Sequence, residues 1–106
     1  MKKHIVYGKL VRDRIPEIIE ASGKVCTTEV LSQDAYLRAL DAKLNEELGE
    51  YQQSKSLEEL ADLLEVMGAV VKARGYTWDD LTRVREEKRA ARGAFDQRFF
   101  LKEVIE

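Results

Sequence analysis

A chain of 106 residues, 44% hydrophobic and 36% charged, with 18 basic against 20 acidic side chains and a formal net charge of −2, is sized for a single domain spanning 1–106 with one core. The charged fraction exceeds the roughly 25% of ordinary domains while the apolar fraction is normal, which excludes disorder and favours amphipathic helices. One Cys and one His exclude an internal disulfide and a Cys/His zinc site, so any metal must sit on carboxylates and the chain reads as cytoplasmic.

Residues Met1 to Tyr7 lack the apolar run of a signal peptide, and no later stretch is apolar enough to span a bilayer, so no membrane role is expected. In chain order, Pro16 suits the first turn of a helix and opens a short helical segment, Glu17 to Ala21, that Gly23 can close. Val25 to Leu31 is rich in β-branched residues and is expected to be extended. From Ser32, a predicted N-cap, Tyr36, Leu37, Leu40, Leu44, Leu48 and Tyr51 recur at three- and four-residue steps, a helix ending near Gln53. Ser56-Leu57-Glu58-Glu59 has the form of a capping box, and Leu57, Leu60, Leu64, Met67 and Val71 carry a second apolar stripe up to Gly75. Thr77-Trp78-Asp79-Asp80 starts a third helix that Gly93 ends. The fold class is therefore all-α: an antiparallel helical hairpin plus a third helix, with a short extended segment near 25–31. The tail from Phe95 to Glu106 holds too many apolar groups to stay in water and must pack on something. Tyr76, Trp78 and Phe95, near helix ends, are expected to cap the core rather than to stack on a base.

A helical wheel shows which acids are out of place. With Tyr36 at zero, the apolar residues of the first long helix span about 0° to 120° and Glu47 falls inside that arc near 20°, with Glu50 about 40° beyond its edge and Glu46 about 80° beyond. On the second helix Glu59 falls between Val66 and Val70, and Asp62 borders the same face. Independently, if residues 52–55 turn an antiparallel hairpin, Glu50 faces Glu59 and Glu47 faces Asp62 on adjacent levels. Either acidic motif alone is what a solvated helix surface carries, but the same four acids meet two unrelated geometric conditions. Four converging carboxylates repel one another unless a cation compensates them. An all-oxygen set selects Mg²⁺, Mn²⁺ or Ca²⁺, and Mg²⁺ suits phosphate chemistry.

Glu46-Glu47-Leu48-Gly49-Glu50 followed by Glu59-Leu60-Ala61-Asp62 resembles the Glu-Glu-x-x-Glu and Glu-x-x-Asp signature of the MazG-type all-α nucleoside triphosphate pyrophosphohydrolases. The stretch from Tyr7 to Ile19 is similar to the opening of a small single-domain branch labelled phosphoribosyl-ATP pyrophosphohydrolase-like, and Lys88, Arg92, Gly93 and Phe95 match its basic helix and Arg-Gly-x-Phe ending. Eight residues separate Glu50 from Glu59, a shorter gap than the broader family pattern, and the hairpin register aligns the acids across it.

The resemblance implies a MazG-like bundle and Mg²⁺-dependent cleavage, with Mn²⁺ as a substitute, between the α and β phosphates of a nucleoside triphosphate or phosphoribosyl-ATP-like nucleotide. The products would be a monophosphate and pyrophosphate, in a house-cleaning or nucleotide-pool role. It makes Glu47, Glu50, Glu59 and Asp62 the metal ligands, Glu46 either a support to those ligands or, with Glu47, a water-activating acid, and Lys88 and Arg92 phosphate contacts.

Lys9, Arg12 and Arg14 are further candidates for a triphosphate, since an acidic metal site needs donors for the non-bridging oxygens. The basic third helix is diluted by Glu86, Glu87 and Asp96, so nucleic acid is not an expected partner. The second helix has an apolar arc of at least 180°, wider than one packing face requires, which together with the resemblance predicts a homodimer or higher homo-oligomer. The alternative is a non-catalytic helical interaction module binding a protein or nucleic acid partner.

Overall fold

The computed structural model describes residues 3–106. Four helices follow one another: α1 (Ile15–Ala21), α2 (Gln33–Ser54), α3 (Leu57–Ala73) and α4 (Trp78–Arg92). The chain is all-helical, and no strand occurs among the described residues. Residues 25–31 form neither helix nor ladder, since a lone extended segment has no neighbour with which to pair its backbone.

The helix starts are set by side-chain caps. The Ser32 hydroxyl accepts from the Ala35 amide, Ser56 from Glu59, and Thr77 with Asp80 closes a full capping box. Ser56 makes half of its predicted box: its own amide donates to Ser54 Oγ at 3.2 Å, which leaves the Glu59 carboxylate free to point elsewhere. Lys55, in the left-handed region at φ 58°, ends α2 by donating its amide to the Tyr51 carbonyl at 2.7 Å, and the reversal that follows sends α3 back along α2. At the far end Gln33 Nε2 donates to the Ala73 carbonyl at 3.1 Å and Arg74 pairs with Asp41 at 3.2 Å, so the two helices run antiparallel over their whole length. This hairpin is the main packing unit; α4 touches α3 alone. Gly68 faces the Trp78 ring in that contact, and a Cβ there would sit in ordinary van der Waals contact with it at 3.4 Å.

The interior between α2 and α3 is thin. Among the described residues only Leu40 and Glu47 are buried. The side of α3 turned to α2 carries Glu59, Asp62, Leu63, Val66 and Val70, all partly buried, whereas of the predicted stripe Leu57, Leu60, Leu64 and Met67 are exposed and Val71 is partly buried. From Arg83 onward every residue is exposed. The tail finds no covering surface among the described residues: Phe95, Phe99, Phe100, Leu101, Val104 and Ile105 all stand in solvent. Capping of the core by aromatics holds for Trp78 in part and fails for Phe95 and Tyr76, since α4 leaves α3 after its first turns. The chain exposes 10153 Å², against about 6,100 Å² for a folded monomer of this mass. Its radius of gyration is 18.9 Å, against about 13 Å for a compact chain of this length. No helix among the described residues is long and apolar enough to cross a membrane.

Candidate metal centre

Two turns of α2 and the first turns of α3 bring Glu47, Glu50 and Glu59 together, each offering a carboxylate oxygen within 4.8 Å of the others. The hairpin places them there: the Lys55 reversal fixes the register, and the diverted Ser56 amide leaves Glu59 facing α2. Glu47 is 7% exposed. Its Oε2 and that of Glu59 are buried without a hydrogen-bond partner, a costly state for carboxylate oxygens.

Burial, together with the charges of Glu50 and Asp62, pushes Glu47 above the ordinary glutamate range; Lys43 opposes this without reversing it. Glu59 is raised as well, by loss of hydration and by Glu50, Asp62 and Glu47. Each cause is one that a divalent cation removes, since it supplies the missing partner and cancels the repulsion. Oxygens on one side of a Mg²⁺ ion with short bonds lie about 3 Å apart, so the group within 4.8 Å would draw together to hold an ion. The residues fit a hard cation held on one side, leaving the other positions for water and phosphate oxygens.

The remaining predicted residues divide into neighbours and absentees. Asp62 is near enough for its charge to act on Glu47 and Glu59, but it lies outside the three-carboxylate group and accepts from Arg12 at 2.6 Å. Glu46 points to the flank, paired with Lys9 at 3.2 Å and Lys43 at 3.3 Å. It loses some hydration there, yet the two lysines hold its carboxyl below the usual range. Lys9 and Arg12 thus border the acids, while Arg14 pairs with Glu17 on α1. Lys88 and Arg92 are not brought to the acids within one chain: they sit on the exposed half of α4, which makes no contact with α2.

Sequence reasoning passed over Lys43. Its Nζ lies 3.5 Å from Glu47 Oε1 and 3.3 Å from Glu46 Oε1, and its side chain is 16% exposed. The signal was legible: Lys43 precedes the two glutamates by three and four residues, the spacing that makes helical neighbours.

No family model matches the chain, and no solved structure matches it. Over 43 residues the chain is 60% identical to a protein of Mycolicibacterium smegmatis (strain ATCC 700084 / mc(2)155) described as uncharacterized, a match covering 41% of this chain and 44% of that protein's length.

Proposed function

We propose that this chain is a Mg²⁺-dependent nucleotide pyrophosphohydrolase, with Mn²⁺ as a substitute, that cleaves between the α and β phosphates of a nucleoside triphosphate or a phosphoribosyl-ATP-like nucleotide. The observation that carries the reading is the buried Glu47, whose Oε2 has no hydrogen-bond partner and whose carboxylate lies in one group with those of Glu50 and Glu59. Glu47, Glu50 and Glu59 would hold the metal, with Asp62, paired with Arg12 in this structure, as a fourth carboxylate at its edge. When bound, the metal polarises a phosphoryl oxygen, offsets polyphosphate charge and lowers the pKa of water. The chain's own part is positional. Lys43 orients the Glu46 and Glu47 carboxylates, and Glu46, released from Lys9, takes up the proton of the attacking water. Lys9 and Arg12 are donors for non-bridging phosphate oxygens along the same edge.

The same reading includes a homodimer or higher homo-oligomer. The excess exposed area is on the scale that obligate interfaces bury, and it contains the outward stripe of α3 and the apolar tail. Contact from another copy is also the route by which Lys88 and Arg92 reach a phosphate, since α4 leads them away from their own acids.

A second reading, a non-catalytic helical interaction module, is favoured by that same exposed stripe. Incubation with Mg²⁺ and a panel of ribo-, deoxyribo- and modified triphosphates plus phosphoribosyl-ATP, with products resolved by ion-exchange chromatography, separates the two. Monophosphate and pyrophosphate, absent from a Glu47→Gln control, establish the enzyme. Orthophosphate and a diphosphate overturn the assigned bond, and no turnover without Mg²⁺-induced stabilisation leaves the interaction module.

A further inference from the structure

Residues 3–14 contain no helix, yet the segment is tied to the acidic edge of the hairpin at two points. Lys9 reaches Glu46 at 3.2 Å, and Arg12 reaches Asp62 at 2.6 Å with Glu65 at 3.7 Å. The second contact involves an acid that the hairpin register aligns with Glu47 but whose oxygens stand outside the group formed by Glu47, Glu50 and Glu59. Resting on the metal reading above, we propose that Arg12 is a positioning residue: it withholds Asp62 from the metal until a phosphate anion draws the guanidinium away.

The chemistry of the pair supports exchange rather than a fixed brace. The Arg12 side chain is 57% exposed and that of Asp62 39%, and pairs so open to water are weak. A guanidinium fork accepts a carboxylate or a phosphate with the same geometry, so phosphate competes directly with Asp62. The withdrawn acid then faces Glu47 from the opposite helix and adds a fourth charge to the site. The site is thus set to grip its cation most firmly when a phosphate group is already at its edge.

The test is a double-mutant cycle on the full chain, read as Mn²⁺ binding by the electron paramagnetic resonance of the free ion. The parent, Arg12→Gln, Asp62→Asn and the double variant are compared, with helical content checked by circular dichroism. Arg12→Gln is expected to bind Mn²⁺ about fivefold more tightly, the scale of an exposed pair. Asp62→Asn changes the parent less than about twofold, because a withheld side chain contributes little, and it abolishes the gain in the Arg12→Gln background. Arg12→Lys keeps most of the restraint. Inorganic phosphate moves the parent toward the Arg12→Gln affinity and leaves Arg12→Gln unmoved. Equal weakening by Asp62→Asn in both backgrounds overturns the proposal while keeping the metal site, for Arg12 is then only a distant charge. Absence of Mn²⁺ binding in all four proteins overturns the metal reading and this proposal with it.

Discussion

The two faces of α3 each carry residues of the kind usually found on the other. The face turned to α2 presents Glu59 and Asp62 ahead of Leu63, Val66 and Val70, whereas the face turned to solvent presents Leu57, Leu60, Leu64 and Met67. Ordinary amphipathic helices do the opposite, because water solvates charge and apolar contacts stabilise the interior. The inward face gathers acids that raise one another's pKa, and the outward face leaves four large apolar side chains in solvent. The difference teaches that neither face is satisfied within its own hairpin, and the function proposed above assigns a metal to one side and a second copy to the other.

The largest effect should come from the inward face. Glu47→Gln is expected to lower nucleotide turnover by about 10²–10⁴-fold, measured as pyrophosphate release, while the metal-free protein stays folded. Comparable turnover in this variant would break the assignment of the inward face. On the outward face, Leu60→Asp with Leu64→Asp should convert the proposed homo-oligomer to monomers by light scattering, since charges are desolvated in an apolar interface. A monodisperse parent monomer at micromolar concentration removes that half of the comparison.

Mg²⁺ at a hundredfold its Kd should raise the parent's Tm by on the order of 10 °C and leave Glu47→Gln unmoved, which calorimetry reads directly. Thr77→Ala, which removes the capping box of α4, should cost about 1 kcal/mol by urea unfolding without changing Mg²⁺ binding, and so marks what an effect outside both faces looks like.

The smallest effect is the pH dependence of the metal-free chain. Glu47 and Glu59 are raised, so their charged forms oppose folding at neutral pH, and the strain is relieved as pH falls through their raised values. Glu59→Gln should therefore melt above the parent at neutral pH, with the difference closing toward the ordinary glutamate range. Asp80, lowered by the Thr77 amide, acts in the opposite sense, adding stability that is lost only as pH drops through its own lowered value. Mg²⁺ affinity should decline over the Glu47 and Glu59 window, because protons compete for the same oxygens.

Much of this was legible in the order of residues. Ser32, Ser56 and Thr77 cap α2, α3 and α4 as their side chains predict, because a cap is a contact across three residues and needs no tertiary partner. The misplaced glutamates were also visible, since a helix of fixed pitch assigns every position a direction, and Glu47, Glu50 and Glu59 do converge. The fate of Asp62 and Glu46 was not, because it depends on Arg12 and Lys9 arriving 50 and 37 residues away. The placement of Lys88 and Arg92 was equally hidden, since it depends on how α4 packs, and α4 meets α3 without reaching α2.

The sequence by itself determined the helices, their caps and which acids share a side, for these follow from local geometry and from contacts within a turn. Only the tertiary structure decided which side of α3 meets α2, which basic groups hold the outlying acids and which apolar groups remain uncovered. Those outcomes depend on how the hairpin closes at Lys55, and a wide apolar arc offers more than one face on which it can close.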